Sequence, residues 1–242
     1  MDIRVDALWR YPVKSLAGET LPEAELTAGG IRGDRLVHVR SPRGPLTGRT
    51  RHALLTLPAT TTADGQILVA GHPWRSERAR ELVAERAGAD ATLAAYAGPE
   101  RFDVANLLVA TDGELAEFAA RHGEPLDVRR LRPNVVLSGV PFGHDAEWPG
   151  SVALAVGDAL IGVHSPRGRC IVTSIDPATG AQDLDVFRRI RTDFGGELAL
   201  NCWVIRPGTI RVGDPVQVVA TAERPRDLGG WIVGAPYRVA AE

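Results

Sequence analysis

The sequence lacks several features that mark common functional classes. Only one of its 28 basic residues is a lysine, only two of its 242 residues are cysteines, and the net charge is −2. The arginines are interspersed with acidic residues, so there is no basic stripe of the kind that binds nucleic-acid phosphates. The longest apolar stretches are only as long as a strand and are interrupted by polar residues. They are therefore too short to span a bilayer. We therefore expect neither a nucleic acid nor a membrane as a partner.

Further absences concern the compartment and the redox chemistry. The chain does not open with a charged segment followed by an apolar one, as a signal peptide would, so we expect a cytoplasmic protein. In that reducing compartment Cys170 and Cys202 are expected to be free thiols. The sequence has no Gly-x-Gly-x-x-Gly fingerprint for a dinucleotide, no cysteine set for an iron–sulfur cluster and no paired Cys or His spacing for zinc.

The residues that are present have the pattern of a folded, mainly β protein. A chain that is 44% hydrophobic and 24% charged can bury a core in one large or two closely packed domains. Short β-type runs between Gly/Pro turns predict many strands, among them residues 54–60 and 170–175. A serine cap and a capping box opened by threonine predict helices at residues 76–87 and 112–122, and a short amphipathic helix is predicted at 183–191. The predicted fold class is α+β, mainly β with a few short helices.

Cys170 is the residue on which we expect the chemistry to depend. It follows Arg169, and a thiol beside a fixed positive charge has its thiolate form stabilised. The thiolate is the form that ligates a soft metal or attacks an electrophile. Two alternatives remain open: Cys170 fills space in the core, or His164 acts as its base in a Cys–His hydrolase, for which no third orienting group is recognisable. Cys202 lies in an apolar run and is predicted to be a core residue.

The single lysine, Lys14, is the second unusual feature. All 27 other basic residues are arginine. An ammonium is a compact point charge with rotatable donors, and it suits a phosphate or a tight pocket that a planar guanidinium does not fit. The sequence therefore indicates a specific role for Lys14, with an accident of codon usage as the alternative.

Six blocks of sequence, in the same order along the chain, resemble the MOSC superfamily. The blocks include Tyr11-Pro-Val-Lys14-Ser15, Gly33-Asp-Arg35, Leu46-Thr-Gly-Arg49, Arg132-Pro-Asn134, Arg169-Cys170 with Asp176-Pro-Ala-Thr-Gly180, and Pro207 to Asp214. Within the superfamily the chain is most similar to the mitochondrial amidoxime-reducing component and its bacterial relatives. The resemblance implies a β-barrel MOSC fold at residues 91–221 after an N-terminal β-barrel-like region at 1–90. Residues 222–242 would form a tail, part of which is expected to dock through Trp231 and Ile232.

The resemblance also implies a cofactor, the molybdenum cofactor. Cys170 matches the cysteine that ligates the metal in this family. Five residues match positions around the pterin and its phosphate: Lys14, Ser15, Arg35, Arg132 and Asn134. Arg49 and Arg169 are further cations expected at the same pocket. We do not expect pyridoxal phosphate, because the sequence shows no aminotransferase-like domain ahead of the MOSC region, where cofactor sulfurases carry it. Thr111 stands where the family has a serine, but its role as a helix cap explains it.

The implied function is that of an oxidoreductase acting on N-hydroxylated or N-oxide small molecules. Electrons would come from a separate ferredoxin- or flavin-type donor protein, since no cysteine follows Cys202. Two other readings stay open. The chain could be a carrier that uses Cys170 as a persulfide or docking thiol for sulfur or molybdenum cofactor. It could also be a degenerate barrel that binds an unrelated anionic ligand.

Overall fold

A computed structural model describes residues 1–96 and 102–224 of the chain. The first nine strands are β1 (Arg4–Arg10), β2 (Val13–Lys14), β3 (Glu19–Leu21), β4 (Glu23–Thr27), β5 (Gly30–Ile31), β6 (Val37–Ser41), β7 (Gly44–Leu46), β8 (Ala59–Thr61) and β9 (Ile67–Val69). The others are β10 (His72–Pro73), β11 (Thr92–Ala95), β12 (Leu107–Thr111), β13 (Val135–Ser138), β14 (Val152–Val156), β15 (Ala159–Gly168), β16 (Glu197–Arg206), β17 (Gly208–Arg211) and β18 (Val216–Ala220). The helices are α1 (Glu77–Ala87), α2 (Asp112–His122) and α3 (Leu184–Asp193). The predicted α+β class, mainly β, is confirmed.

Eight strands form the main sheet, in the order β18-β14-β15-β16-β12-β13-β1-β3. Most neighbours are antiparallel, and β12 and β13 are parallel because α2 connects them. The sheet curls so that residues 3–5 and 213–216 exchange backbone hydrogen bonds, with Val216 N donating to Ile3 O over 2.8 Å. Among the described residues the strand order itself does not close into the barrel that we predicted.

Three smaller sheets pack around the main one. β2, β6 and β11 form one of them, with β7 paired to β6. β8, β9 and β10 form the second, and β8 and β9 form a hairpin whose connection contains Asp64-Gly65, where Gly65 has a φ of 85°. β4, β5 and β17 form the third. No helix within the described ranges is long and apolar enough to cross a membrane.

The three helices begin where local capping predicts. Ser76 accepts a hydrogen bond from Ala79 N, Thr111 from Glu114 N, and Asp183 from Asp185 N. These contacts satisfy backbone donors that the first helical turn leaves free, and they depend on neighbouring residues alone. All three predicted helices are confirmed, to within two residues at their ends.

Two predicted strands are wrong, and one of them carries Cys170. Residues 171–174 form a 3-10 helix with Cys170 as its N-cap, in place of the predicted strand 170–175. The hydroxyls of Thr173 and Ser174 donate to Cys170 O and Ile171 O over 2.9 and 2.7 Å. Such side-chain to backbone bonds compete with strand pairing. In the same way a 3-10 helix, His52–Thr56, replaces the first three residues of the predicted strand 54–60, and only its last two residues belong to a strand, β8.

Two hydrophobic cores position the site. One lies against the main sheet and contains Cys202, which is fully buried as predicted. The other lies between the β6 sheet, the β8–β9 hairpin and α1, and it contains Val13 and Leu16 on either side of Lys14. The predicted boundary at residue 90 stays a prediction. Of the predicted tail, residues 225–242, including Trp231 and Ile232, lie outside the described residues.

Candidate functional site

One cavity, with a volume of about 780 Å³, is lined by residues from both the N-terminal and the C-terminal halves of the chain. All eight predicted site residues line it: Lys14, Ser15, Arg35, Arg49, Arg132, Asn134, Arg169 and Cys170. They come from five separate parts of the chain, so the fold brings them together although the sequence keeps them apart. His164 is not among the lining residues, so the geometry gives no support to a Cys–His pair. Within the described ranges no group of three or more His, Cys, Asp and Glu side chains is arranged to hold a metal.

Cys170 lies at the edge of the cavity, just after β15 ends. Its side chain is half-buried and makes no disulfide. Arg169, the preceding residue, donates from Nη2 to Leu131 O over 2.7 Å. Burial lowers the pKa of Arg169 to about 10, which leaves it cationic at neutral pH. The thiol therefore lies beside a fixed positive charge, as the Arg-Cys sequence predicts.

The buried carboxylate of Asp34 supports the part of the cavity wall that contains Arg35 and Asn134. Asp34 is 1% exposed, pairs with Arg35, and accepts hydrogen bonds from Tyr11 N over 2.7 Å and from Asn134 Nδ2 over 3.2 Å. Asn134 also accepts from Leu108 N over 3.2 Å. Breaking a buried pair of this kind leaves an uncompensated charge, which is strongly destabilising. The Asp34–Arg35 pair is therefore part of the core of the site and not a surface ion pair.

Tyr11 supports two of the arginines at once. The guanidinium carbons of Arg35 and Arg132 lie 4.9 and 4.2 Å from the centre of its ring. Arg132 also donates from Nη1 to Leu16 O over 2.7 Å. A Cβ on Gly18 would come within 2.5 Å of the Tyr11 ring, so only glycine fits behind it. The tyrosine thus fixes the positions of both guanidinium groups.

Backbone strain is concentrated at this cavity. Five non-glycine residues of the described ranges have positive φ angles, and three of them are lining residues: Ser15 at 72°, Arg35 at 52° and Arg132 at 58°. Such conformations are unfavourable for L-residues and persist only where the surrounding structure enforces them. Strain of this kind is typical of ligand sites.

Sequence reasoning missed three charged residues of the cavity: Arg40, Asp103 and Arg167. Lys14 Nζ donates to Asp103 Oδ1 over 2.9 Å, and Arg167 Nη2 donates to Asp103 Oδ2 over 3.4 Å. Arg167 Nη1 also donates to Asn201 Oδ1 over 3.3 Å. The position of Arg167 two residues before Arg169 was a usable signal, because such residues in an extended segment face the same side. Asp103 carries no comparable signal.

The cavity combines several cations with a free thiol, a combination with the chemistry to bind an anionic ligand that also takes a soft donor atom. The chain belongs to the MOSC family. The model of the MOSC domain matches residues 100–217, and that of the MOSC N-terminal beta barrel domain matches residues 2–113.

Two curated relatives align with most of the chain. The chain is 25% identical over 282 aligned positions to mitochondrial amidoxime-reducing component 1 of Homo sapiens, covering 89% of this chain and 82% of the relative. The same protein of Mus musculus is 25% identical over 285 positions, with the same coverage. The crystal structure of the YuaD protein from Bacillus subtilis superposes with a TM-score of 0.51 at 16% identity, over 91% of this chain and 97% of that one. The superposition shows a shared fold.

Proposed function

We propose that this protein is a molybdenum-cofactor-dependent oxidoreductase that reduces N-hydroxylated or N-oxide compounds. The observation that carries the proposal is the convergence of Cys170 and a cationic set on one cavity in a MOSC-family chain. The similarity to amidoxime-reducing components supports a reductase of this cofactor family.

The donor set of the cavity fits the cofactor. A dithiolene-held molybdenum takes a soft ligand, which the Cys170 thiolate supplies. The pterin phosphate takes charge-assisted donors, which Lys14 and the arginines supply. Arg132 Nη2 and Arg169 Nε are buried and lack a hydrogen-bond partner among the described residues. Buried donors without partners are costly, so a ligand rich in acceptors would stabilise this wall.

In this proposal the chain would bind and orient the cofactor, which would supply two-electron oxygen-transfer chemistry. Cys170 would hold the metal beside the positive charge of Arg169. Arg35 and Arg132, fixed on Tyr11, would hold the pterin together with Ser15 and Asn134. Lys14 and Arg49 would hold the phosphate. A separate ferredoxin- or flavin-type protein donates the electrons.

Metal analysis tests the proposal. Protein made in a host supplied with molybdate should contain close to one molybdenum per chain, measured by mass spectrometry of the metal. Cys170→Ser should lose most of it, because a hydroxyl is a harder ligand and is rarely ionised. Cys202→Ser is the matched control, since Cys202 is buried in the core away from the cavity, and it should keep its metal. Equal molybdenum in both variants would exclude Cys170 as the ligand.

A further inference from the structure

Asp103 is the carboxylate on which the cations of the cavity converge. Its Oδ1 accepts from Lys14 Nζ over 2.9 Å, and its Oδ2 accepts from Arg49 Nη2 over 3.3 Å and from Arg167 Nη2 over 3.4 Å. These donors come from β2, the segment after β7 and the end of β15. One carboxylate thus connects three separate segments of the chain.

The balance of charge around Asp103 is strongly positive. Among the described residues that line the cavity, Asp103 is the one acidic side chain, and seven are cationic: Lys14, Arg35, Arg40, Arg49, Arg132, Arg167 and Arg169. Burial would raise the pKa of Asp103, but the charge and hydrogen bond of Lys14, with Arg167 and Arg49, hold it well below its usual range. Asp103 is therefore ionised at neutral pH and neutralises only part of the positive charge.

The three donors around Asp103 have the chemistry of a phosphate site. Lysine and arginine N–H groups that converge from three directions match the terminal oxygens of a phosphate monoester. A carboxylate offers two oxygens and one negative charge, whereas a phosphate dianion offers three oxygens and about two charges. The same donors would bind the phosphate more strongly, provided that the carboxylate released them.

We propose that Asp103 is an internal counter-anion, which occupies the subsite of Lys14, Arg49 and Arg167 until the phosphate of the ligand replaces it. Asp103 stabilises the cations in the ligand-free protein and lowers the net affinity of the subsite for phosphate, because the incoming anion must compete with it. The inference rests on the proposed function only in taking the ligand to carry a phosphate. Regulation of cofactor loading and release would follow from this competition.

The opposite role for Asp103 makes the opposite prediction. If the carboxylate pre-organises the three cations for a ligand that binds beside it, its removal would let Lys14 and Arg49 separate through mutual repulsion. Phosphate would then bind more weakly. The direction of the change in affinity therefore distinguishes exchange from pre-organisation.

The experiment is a titration of the full-length, cofactor-free chain with inorganic phosphate and with pyrophosphate, by calorimetry. Asp103→Asn keeps the size of the side chain and removes the charge, so it should bind phosphate at least tenfold more tightly than the unmodified chain. Without phosphate it should unfold at a lower temperature, and added phosphate should restore the lost stability. Glu25→Gln is the matched control, because Glu25 forms an exposed pair with Arg32 outside the cavity, and its phosphate affinity should not change.

A second variant protects the test against a folding defect. Asp103→Ser, which removes the charge with most of the side chain, should give the same gain in affinity. In Asp103→Asn combined with Arg167→Gln the gain should be lost. Unchanged or weaker phosphate binding in the folded Asp103 variants would overturn the proposal. A lack of molybdenum in the unmodified protein would overturn the proposed function instead, and the phosphate titration does not depend on that result.

Discussion

At the scale of single residues, the cavity is built from arginines that main-chain carbonyls hold in place. Arg132 donates to Leu16 O and Arg169 to Leu131 O, each over 2.7 Å. A guanidinium has five N–H donors in a fixed fork, so one donor can anchor the group while others stay available. The pKa of each is lowered to about 10 by burial, which still leaves both charged at pH 7. Rigid positive charge facing a ligand is the property that pre-organises a site for anions.

Another single residue, Lys14, is expected to be important for cofactor binding, and its substitution by arginine should weaken that binding. Its side chain is 15% exposed and its ammonium donates to Asp103, a geometry that the larger planar fork of arginine does not reproduce. Loss of one charge-assisted hydrogen bond, about 1.5 kcal/mol, should weaken cofactor binding about tenfold in Lys14→Arg. Molybdenum content after gel filtration measures this. Arg129→Lys, outside the cavity, is the control, and equal metal in both variants would mean that Lys14 has no specific role.

At the scale of elements, α2 places a half-buried acid, Glu114, near the arginine beside Cys170. Glu114 accepts from Ala199 N over 3.0 Å and lies close to Asp145, to which Thr111 Oγ1 donates over 3.4 Å. Desolvation, with the negative charge of Asp145, raises the pKa of Glu114 to about 7. The positive charge of Arg169 acts in the other direction. The start of this helix thus connects Glu114 electrostatically with the arginine beside Cys170.

The raised pKa of Glu114 predicts how stability changes with pH. Between its ordinary pKa of 4.5 and its native value of about 7, the folded chain holds a proton that the unfolded chain has lost. The free energy of unfolding should therefore fall as the pH rises through this window and level off above it. Glu114→Gln cannot titrate and should remove this slope, a change of about 2 kcal/mol between pH 5 and pH 8 relative to the unmodified chain.

Denaturant unfolding at several pH values measures this difference. Glu117→Gln is the control, because Glu117 lies one turn along the same helix and pairs with Arg121 away from Asp145. A pH slope that stays the same in Glu114→Gln would show that Glu114 is not the titrating group. Both variants should fold, since the amide of glutamine can still accept from a backbone N–H.

The elements also show what could be predicted from sequence and what could not. The first two helices were predictable because their caps, Ser76 and Thr111, act within a few residues. The strand predicted at 170–175 was wrong, because β-branched composition indicated pairing while two hydroxyls bonded back to the chain. Asp103 was missed because its partners Lys14 and Arg167 lie 89 and 64 residues away. The role of a single aspartate such as Asp103 can be recognised only when the fold shows which residues surround it.

At the scale of the whole molecule, the sequence motifs identified most residues of the candidate site. Only the fold showed that the Asp103 carboxylate neutralises part of their positive charge. Cys170 and Lys14 were singled out by their own chemistry and the other six residues through the resemblance to a family, whereas the common place of all eight on one cavity is a property of the fold. Their roles toward a cofactor stay predictions. The cavity wall includes Lys14 of β2 and Arg167 of β15, which lie far apart in the sequence. A ligand bound there would contact both segments and would stabilise the molecule by mass action.

The source of electrons is a property of the whole molecule. The sequence has no dinucleotide fingerprint and no cysteine set for an iron–sulfur cluster, so we expect the protein to need an external donor. Reduced viologen, a one-electron donor that needs no specific binding site, should support reduction of an N-hydroxylated amidine by molybdenum-loaded protein. Nicotinamide cofactor alone should not, and Cys170→Ser should be inactive with either. Chromatography follows substrate loss and amidine formation and gives the rate with reduced viologen and the rate with nicotinamide cofactor.

Molybdenum-loaded protein that reduces no compound in a panel of N-hydroxy and N-oxide substrates would favour the carrier role for Cys170. Direct use of nicotinamide cofactor would require a binding site that these residues do not form, and the expectation of a separate donor protein would then be wrong.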